Sequence, residues 1–386
     1  MSGLQIYNNY LDSVYVHGKN FVHEHGTFVK LFYLCNMAQK DKPTIMDIAR
    51  MTGLSKGTID RVLHNRGEVS KKSHEAVMNA IQELGYEPNV FASMLAKGGS
   101  HLIAVLMPED APGSFWNLAA TGMNKSKDPL LTGGITVEHF GYNPTDAESL
   151  RAAAEKMRES NPSGVVIAPM FRTGTEMITA VLREMNIPYV FIDSKIDDSG
   201  YLAYFGMPMY RSGYLCADQL TGGRPVNNVL VVRIQRDLQG KSDPTINRRA
   251  GFMDYMHEHC PDCVIHNIMI DPSAPEGIEK AMDEYFAANP DTHHIVMFNS
   301  RIHLLVPWLD KHPQRGRRVV GFDNLEANMQ ALSRGAVSVL ICQHPDEQLA
   351  MAIQALSERI VLGKHPARRD NFMHMDILTR YNVDFY

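Results

Sequence analysis

The spacing of hydrophobic positions changes near residue 100, and this change divides the chain into two parts. Before it, apolar side chains recur every three or four residues in short segments, which predicts helices. After it, short continuous apolar runs alternate with amphipathic stretches, which predicts parallel strands covered by helices on both faces. The predicted strands are 101–107, 135–140, 164–169, 188–193, 201–207, 228–234, 264–270, 294–299, 318–323 and 338–342. Ten strands are more than one doubly wound sheet usually contains, so we expect two α/β lobes.

Three short helices are predicted in residues 43–85, before the first strand. Thr44 and Asp47 have the spacing of a capping box at the start of the first helix. Ser55 and Ser70 are candidate N-caps of the second and third. Two short helices joined by a tight turn and braced by a third form a helix-turn-helix, which points to DNA binding.

The expected domain organisation follows from these patterns. Residues 1–36 show no clear helix or strand periodicity of hydrophobic residues, and Met37 stands just before the first segment that does. We therefore expect that translation begins at Met37, or that the upstream stretch is a disordered extension. The expected domains are an extension (1–42), a helix-turn-helix domain (43–88), a hinge (89–99) and an α/β domain (100–386). Within the α/β domain we expect an N-lobe of about 100–204 plus 343–362, and a C-lobe of about 205–340 plus a C-terminal strand.

Composition and charge narrow the class of protein. The chain has 386 residues, 44% of them hydrophobic, and a net charge of -5, which does not suit a protein coated in nucleic acid. Residues 56–72, however, hold five Lys and Arg against two acidic residues, which gives a local positive field. The five cysteines are scattered, as in a reducing cytoplasm. Cys260 and Cys263 have metal-site spacing without a second ligand pair, so we expect no metal. No apolar run is long enough to cross a bilayer.

The segment 44–98 carries a more specific signature. It contains Asp-Ile-Ala in the first helix, Gly-Leu-Ser before the second, Thr-Ile-x-Arg-Val-Leu within the second, and Gly-Tyr-x-Pro-Asn at 85–89. In these features it resembles the DNA-binding and hinge region of the LacI family of transcription regulators. The resemblance implies a fold with a small all-α helix-turn-helix domain followed by a two-lobed α/β effector domain like that of periplasmic binding proteins.

The resemblance also implies roles for individual residues on operator DNA. Lys56 and Arg61 are the expected base readers, because both can donate to guanine in the major groove. Hydroxyl and amide side chains are expected on phosphates, and these are Thr44, Ser55, Thr58, Asn65 and Ser70. In the hinge, Asn89 and Ala92 match contact positions, and Leu95 is the expected wedge in the minor groove. Gly57 and Asp60 depart from the family pattern, so the operator sequence is not predicted.

Ligand-binding residues are expected at the carboxyl ends of the strands, where open parallel sheets bind ligands. The candidates are Phe115, Trp116, Asp193, Arg248, Asn299, Asp323 and Gln343. Carboxylate, amide and guanidinium groups together with an aromatic pair suit the hydroxyls and apolar face of a sugar. The same segments resemble ribose/galactose-type periplasmic binding proteins.

Several alternatives remain open at this level. A nucleoside or purine corepressor could replace the sugar. An uptake binding protein would need an export signal and would lack the helix-turn-helix. An enzyme would use Asp193 and Asp323 as an acid and a nucleophile, but no phosphate loop, nucleophile elbow or metal cluster accompanies them. We therefore expect a cytoplasmic, non-enzymatic regulator without a cofactor, acting as a homodimer on a pseudo-palindromic operator.

Overall fold

The computed structural model describes residues 43–63, 69–86, 100–125, 134–234 and 245–386. Contacts divide the chain between residues 89 and 90 into two compact units. The predicted hinge and the first 42 residues lie outside the described part of the chain.

The first unit is a three-helix bundle of α1 (Ile45–Thr52), α2 (Lys56–Leu63) and α3 (Lys71–Leu84). The Asp47 carboxylate accepts hydrogen bonds from the backbone N–H and hydroxyl of Thr44, at 2.8 and 2.7 Å. Ser55 and Ser70 each accept a backbone N–H from the residue three positions on, as expected of N-caps. The core that joins the helices consists of Ile48, Ile59, Val62, Val77, Ala80 and Tyr86.

The second unit contains two six-stranded sheets, each with helices on both faces. The N-lobe sheet has the order β11-β5-β4-β3-β1-β2. Its strands are β1 (His101–Pro108), β2 (Ile135–Tyr142), β3 (Gly164–Ile167), β4 (Tyr189–Ile192), β5 (Ala203–Gly206) and β11 (Asp370–Phe372). The helices packed on it are α4 (Phe115–Lys125), α5 (Ala147–Glu159), α6 (Arg172–Glu184) and α12 (Pro345–Leu362).

The C-lobe sheet has the order β12-β10-β9-β8-β6-β7. Its strands are β6 (Asn228–Ile234), β7 (Val264–Ile270), β8 (His294–Val296), β9 (Arg318–Phe322), β10 (Val339–Cys342) and β12 (Asp376–Leu378). Its helices are α7 (Met209–Thr221), α8 (Thr245–His259), α9 (Pro275–Ala288), α10 (Val306–Lys311) and α11 (Glu326–Arg334), with short 3-10 turns at Ile302–Leu305 and Val383–Phe385.

The chain passes between the lobes three times: after β5, after β10 and between β11 and β12. These segments are called the three crossovers below. The alternation of strands and helices thus predicted the two-lobed α/β fold, which is confirmed. One departure is that β12 runs antiparallel to β10, whereas parallel sheets were expected. No helix in the described residues is long and apolar enough to cross a membrane.

Helices α7 and α8 lie in backbone contact because each presents a glycine to the other. A Cβ atom on Gly213 would lie 1.7 Å from the carbonyl oxygen of Arg248, and one on Gly251 would lie 1.9 Å from that of Tyr210. Glycine therefore allows an approach that no other residue permits. The contact brings Arg248 within reach of α7, which becomes important for the cavity between the lobes.

Candidate functional site

A cavity of about 650 Å³ lies between the two lobes, at the carboxyl ends of their parallel strands. All seven residues predicted to bind a ligand line it: Phe115, Trp116, Asp193, Arg248, Asn299, Asp323 and Gln343. The first three belong to the N-lobe, the next three to the C-lobe, and Gln343 lies on the second crossover. The structure therefore brings together side chains that are separated by more than half of the sequence.

Arg248 is only 4% exposed and is held by fixed partners on three sides. Its Nε donates to the Ser212 hydroxyl at 3.0 Å, and one terminal nitrogen donates to the Phe298 carbonyl at 2.5 Å. Its guanidinium carbon lies 3.9 Å from the centre of the Phe322 ring. Within the described ranges, the other terminal nitrogen donates to two methionine sulfurs, which are weak acceptors. That nitrogen retains most of its capacity to donate to a ligand.

Burial lowers the pKa of the Arg248 guanidinium, an effect that the carboxylates of Asp323 and Asp193 oppose. These two aspartates follow β9 and β4, and both have left-handed backbone conformations, with φ values of 68° and 63°. Asp tolerates this conformation better than most residues, and such strained positions cluster at functional sites. The strand ends therefore hold two acidic groups near one buried cation.

Asp323 and Gln343 retain unsatisfied acceptors. Gln343 Nε2 donates to Asp323 Oδ2 at 3.1 Å. Asp323 Oδ1 and Gln343 Oε1 are both buried and find no hydrogen-bond partner among the described residues. A buried acceptor without a donor costs about 1–3 kcal/mol. A ligand that carries hydroxyl or amine donors would remove this cost.

Aromatic side chains form part of the N-lobe wall. Phe115 and Trp116, at the first turn of α4, meet edge to face with ring centres 4.9 Å apart. Asn299 also lines the cavity, and its Oδ1 accepts the backbone N–H of Arg301 at 2.9 Å. Asn299 therefore stabilises the turn after its strand as well as lining the cavity.

Residues that the sequence did not single out complete the site. Ser212, Phe298 and Phe322 fix Arg248, while Met170, Met209, Arg301 and His303 add to the lining. Phe298 directly precedes Asn299, which was predicted to bind the ligand, so its position at the end of the same predicted strand could have identified it. Ser212 lies on α7 and contributes only through the close helix contact, for which the sequence has no local signature.

Replacing Asp323 with asparagine should reduce the pH dependence of stability. Burial raises the pKa of Asp323 to about 7, although Arg248 and the Gln343 hydrogen bond lower it. In the unfolded chain the same carboxyl ionises near its usual value of about 4. The native state therefore binds the proton more tightly, and its contribution to stability is present below pH 4 and is lost as the pH rises to about 7.

Urea unfolding of the wild type and of Asp323→Asn between pH 4 and 7.5 would measure this effect. We expect the wild type to lose more unfolding free energy than the variant over that window. The exposed Asp291→Asn serves as the control and should follow the wild type. Parallel pH curves for wild type and Asp323→Asn would contradict the assignment.

The first unit presents a separate candidate surface for nucleic acid. Lys56 and Arg61 are both exposed on α2, and the Arg61 Nε donates to the Gly57 carbonyl one turn earlier at 3.2 Å. The Ser55 and Thr58 hydroxyls lie 2.9 Å apart at the start of the helix. Ser55, Lys56 and Thr58 thus lie at the start of α2 and Arg61 lies in its last turn, so the side chains expected on DNA share one helix, as in a recognition helix.

Of the other residues expected to contact DNA, the structure describes Thr44 and Ser70. Thr44 donates its hydroxyl to Asp47, and the Ser70 hydroxyl lies 2.9 Å from that of Ser73, so both cap helices. Capping does not prevent a hydroxyl from accepting a further contact. The other candidates, which are Asn65, Asn89, Ala92 and Leu95, lie outside the described residues.

Two family models match the chain. The model of the lacI family of bacterial regulatory proteins matches residues 44–89. The model of a periplasmic binding protein domain matches residues 103–364, which is more than half of the chain. The two matches fall on the two units of the structure.

Individual proteins extend this result. The chain is 30% identical to a structure from Bacteroides fragilis described as a LacI transcriptional regulator, with a TM-score of 0.69, covering 74% of this chain and 99% of that one. GanP, a glucose-galactose binding protein from Geobacillus stearothermophilus, shares the fold at 18% identity, with a TM-score of 0.62 over 74% of this chain and 98% of that one.

Among curated proteins, the ribose operon repressor of Halalkalibacterium halodurans is 30% identical over 156 residues, or 40% of this chain and 44% of the repressor. The chain spans about half the length of the curated relatives that it matches. The Halalkalibacterium halodurans and Bacteroides fragilis proteins are described as a repressor and a regulator, not as enzymes.

Proposed function

This chain belongs to the LacI family of bacterial regulatory proteins, and we propose that it is a DNA-binding transcription regulator controlled by a small polyhydroxylated effector. The observation that carries the proposal is the combination of two sites on one chain. One is an exposed, basic recognition helix, and the other is a buried cavity with unsatisfied acceptors. A sugar-uptake protein would need only the second.

The proposed operator contact is made by α2. Lys56 and Arg61 are its exposed cations, and the apolar side chains of Ile59 and Val62 are buried against α1 and α3. The buried face leaves the basic face free to enter the major groove. Ser55, Thr58 and Ser70 are proposed to contact phosphates, which position the helix without selecting a sequence.

Replacing Arg61 with alanine should weaken binding to a cognate site by about 1–3 kcal/mol if Arg61 reads a guanine through two hydrogen bonds. Fluorescence anisotropy with a selected operator and a scrambled duplex would measure the loss. We expect specificity to fall together with affinity.

Lys72→Ala is the matched control, because Lys72 is an exposed cation at the start of α3. Loss of a phosphate contact should weaken both duplexes about equally and reduce the salt dependence. The assignment of α2 would be wrong if Arg61→Ala left specific and random binding unchanged.

The proposed effector is a monosaccharide or a sugar derivative. Asp323 Oδ1 and Gln343 Oε1 require donors, Arg248 offers a donor, and the Phe115–Trp116 pair offers an apolar surface. A sugar ring supplies hydroxyl donors, hydroxyl acceptors and an apolar face together. The names of the ribose operon repressor and of the glucose-galactose binding protein point to the same class of compound.

A thermal-shift screen of monosaccharides, sugar phosphates and nucleosides would identify the effector. A ligand that binds the native state raises its apparent stability through mass action. A shift with nucleosides alone would replace the sugar with the purine or nucleoside corepressor considered above. The same compound should be recovered unchanged after prolonged incubation, because the proposed site binds and does not react.

We further infer that the regulator acts in the cytoplasm as a homodimer on a pseudo-palindromic operator. Two-fold symmetric half-sites match the symmetry of a dimer. The hinge residues Asn89, Ala92 and Leu95 are proposed to contact the minor groove, with closure of the lobes around the effector altering how two hinges pair. By linkage, operator DNA must then change effector affinity by the factor with which the effector changes operator affinity.

A further inference from the structure

Two histidines and a carboxylate meet where the chain passes between the lobes. The candidate ligand atoms of His344, Glu347 and His374 all lie within 4.8 Å of one another. His344 and Glu347 lie on the second crossover and the first turn of α12, whereas His374 lies on the third crossover, between β11 and β12. Only the fold brings these crossovers together, so no spacing in the sequence predicted the cluster.

We propose that His344, Glu347 and His374 form a binding site for a divalent transition-metal ion of the Zn(II) class. Ions of this class bind imidazole nitrogen readily, whereas Mg²⁺ and Ca²⁺ favour oxygen ligands. A donor set of two imidazoles and one carboxylate therefore selects an ion of the Zn(II) class. Zinc bonds to these donors are about 2.0–2.2 Å long, so small shifts of the side-chain ends would close the site. Glu347 is half-buried and His374 is exposed, which gives the ion a path of entry.

A carboxylate and a hydroxyl lie close to the ring nitrogens of the two histidines. Asp376 Oδ2 lies 3.0 Å from His344 Nε2 and 3.8 Å from His374 Nε2. The two imidazole rings are 4.1 Å apart between centres, and the Tyr386 hydroxyl lies 3.3 Å from His344 Nδ1. Metal-bound imidazoles are commonly oriented by such a carboxylate, which holds the ring nitrogen that does not bind the ion. We assign this positioning role to Asp376.

An ion at this site would join two of the three crossovers. Lobe rotation requires backbone changes in the crossovers, so a bound ion restrains them. It would also stabilise the folded chain, because the unfolded chain does not bring these ligands together. The proposal stands on the geometry of the cluster and does not depend on the identity of the effector.

The test uses the full chain without a histidine tag, freed of metal by chelation and titrated with Co(II) and then Zn(II). We expect the wild type to bind one more equivalent of Co(II) than His374→Ala, with the visible absorption of nitrogen and oxygen ligation and without thiolate charge transfer. Zn(II) should displace the cobalt and raise the melting temperature of the wild type. Loss of one ligand should lower the affinity of the site for Co(II) at least about tenfold.

Glu347→Gln is the second variant, since it keeps the size of the side chain while removing its charge, and it should lose the same equivalent. His365→Ala is the matched control, because His365 is exposed in the same unit but lies outside the cluster, and it should bind as the wild type does. Equal Co(II) binding by the wild type, His374→Ala and Glu347→Gln would overturn the proposal. A thiolate spectrum would also overturn it, because it would place the ion on cysteine.

Discussion

Replacing Arg248 with alanine should weaken effector binding by about 1.5–3 kcal/mol, which corresponds to roughly a ten- to hundred-fold loss of affinity. The guanidinium is the buried cation of the cavity, and one of its terminal nitrogens has only sulfur acceptors among its fixed partners. Calorimetry with the sugar identified by the thermal-shift screen would measure the loss. The variant should retain operator binding but respond to the effector only at correspondingly higher concentrations.

The same substitution should also lower the free energy of unfolding, on the order of 3 kcal/mol. The Ser212 hydroxyl and the Phe298 carbonyl would lose their donor, and the carboxylates of Asp193 and Asp323 would lose their nearby positive charge. Arg248 is therefore expected to serve both folding and binding.

Arg249→Ala is the matched control, because Arg249 follows directly on the same helix, is only partly buried and does not line the cavity. It should change neither property appreciably. Effector affinity equal to that of the wild type in Arg248→Ala would remove Arg248 from the site, whatever the change in stability.

Replacing Gly213 with alanine should lower the free energy of unfolding by about 3 kcal/mol, at the upper end of what overpacking usually costs. The added Cβ would lie 1.7 Å from the carbonyl oxygen and 2.6 Å from the carbonyl carbon of Arg248. These are backbone atoms, so no side-chain rotation relieves the overlap, and α7 and α8 must separate. We expect the melting temperature to fall by about 5 °C or more.

Effector affinity should fall as well, because the displaced part of α8 carries Arg248. Gly277→Ala provides the same chemical change in helix α9, where the nearest atom would be the Ala274 Cβ at an ordinary 3.7 Å. There, alanine should stabilise slightly through its higher helix propensity. A melting temperature of Gly213→Ala equal to that of the wild type would show that the helix contact is not tight.

Hydrophobic spacing predicted strands β1 to β10, because each contains an apolar run. The edge strands β2 and β7 are buried only in part, whereas β3, β4 and β5 are buried throughout. Hydrophobic spacing did not predict β11 as a separate strand. Asp370–Phe372 spans three residues, and so does Asp376–Leu378, which is too short for a periodicity to appear. Pairing with β5 and β10 defines these segments, and pairing is a property of the folded chain.

The same division holds for the cavity. Asp193, Asn299 and Asp323 were recognisable because each stands at the carboxyl end of a predicted strand, where open parallel sheets bind ligands. The groups that hold Arg248 were not, since one is a main-chain carbonyl and another, Ser212, is an ordinary helix residue. The metal cluster of His344, Glu347 and His374 was unpredictable for a further reason, because two crossovers must meet before it exists.

The three crossovers also set the order in which a ribosome can complete each lobe. Strands β1 to β5 emerge first, but β11, the neighbour of β5, emerges only after every C-lobe strand except β12. Helix α12, which covers one face of the N-lobe sheet, is equally late. At bacterial rates of about 5–20 residues per second, the delay between β5 and β11 is roughly 10–30 s. During that interval the nascent chain carries an open strand edge and an apolar face that α4 alone covers in part, two features that promote association between unfinished chains.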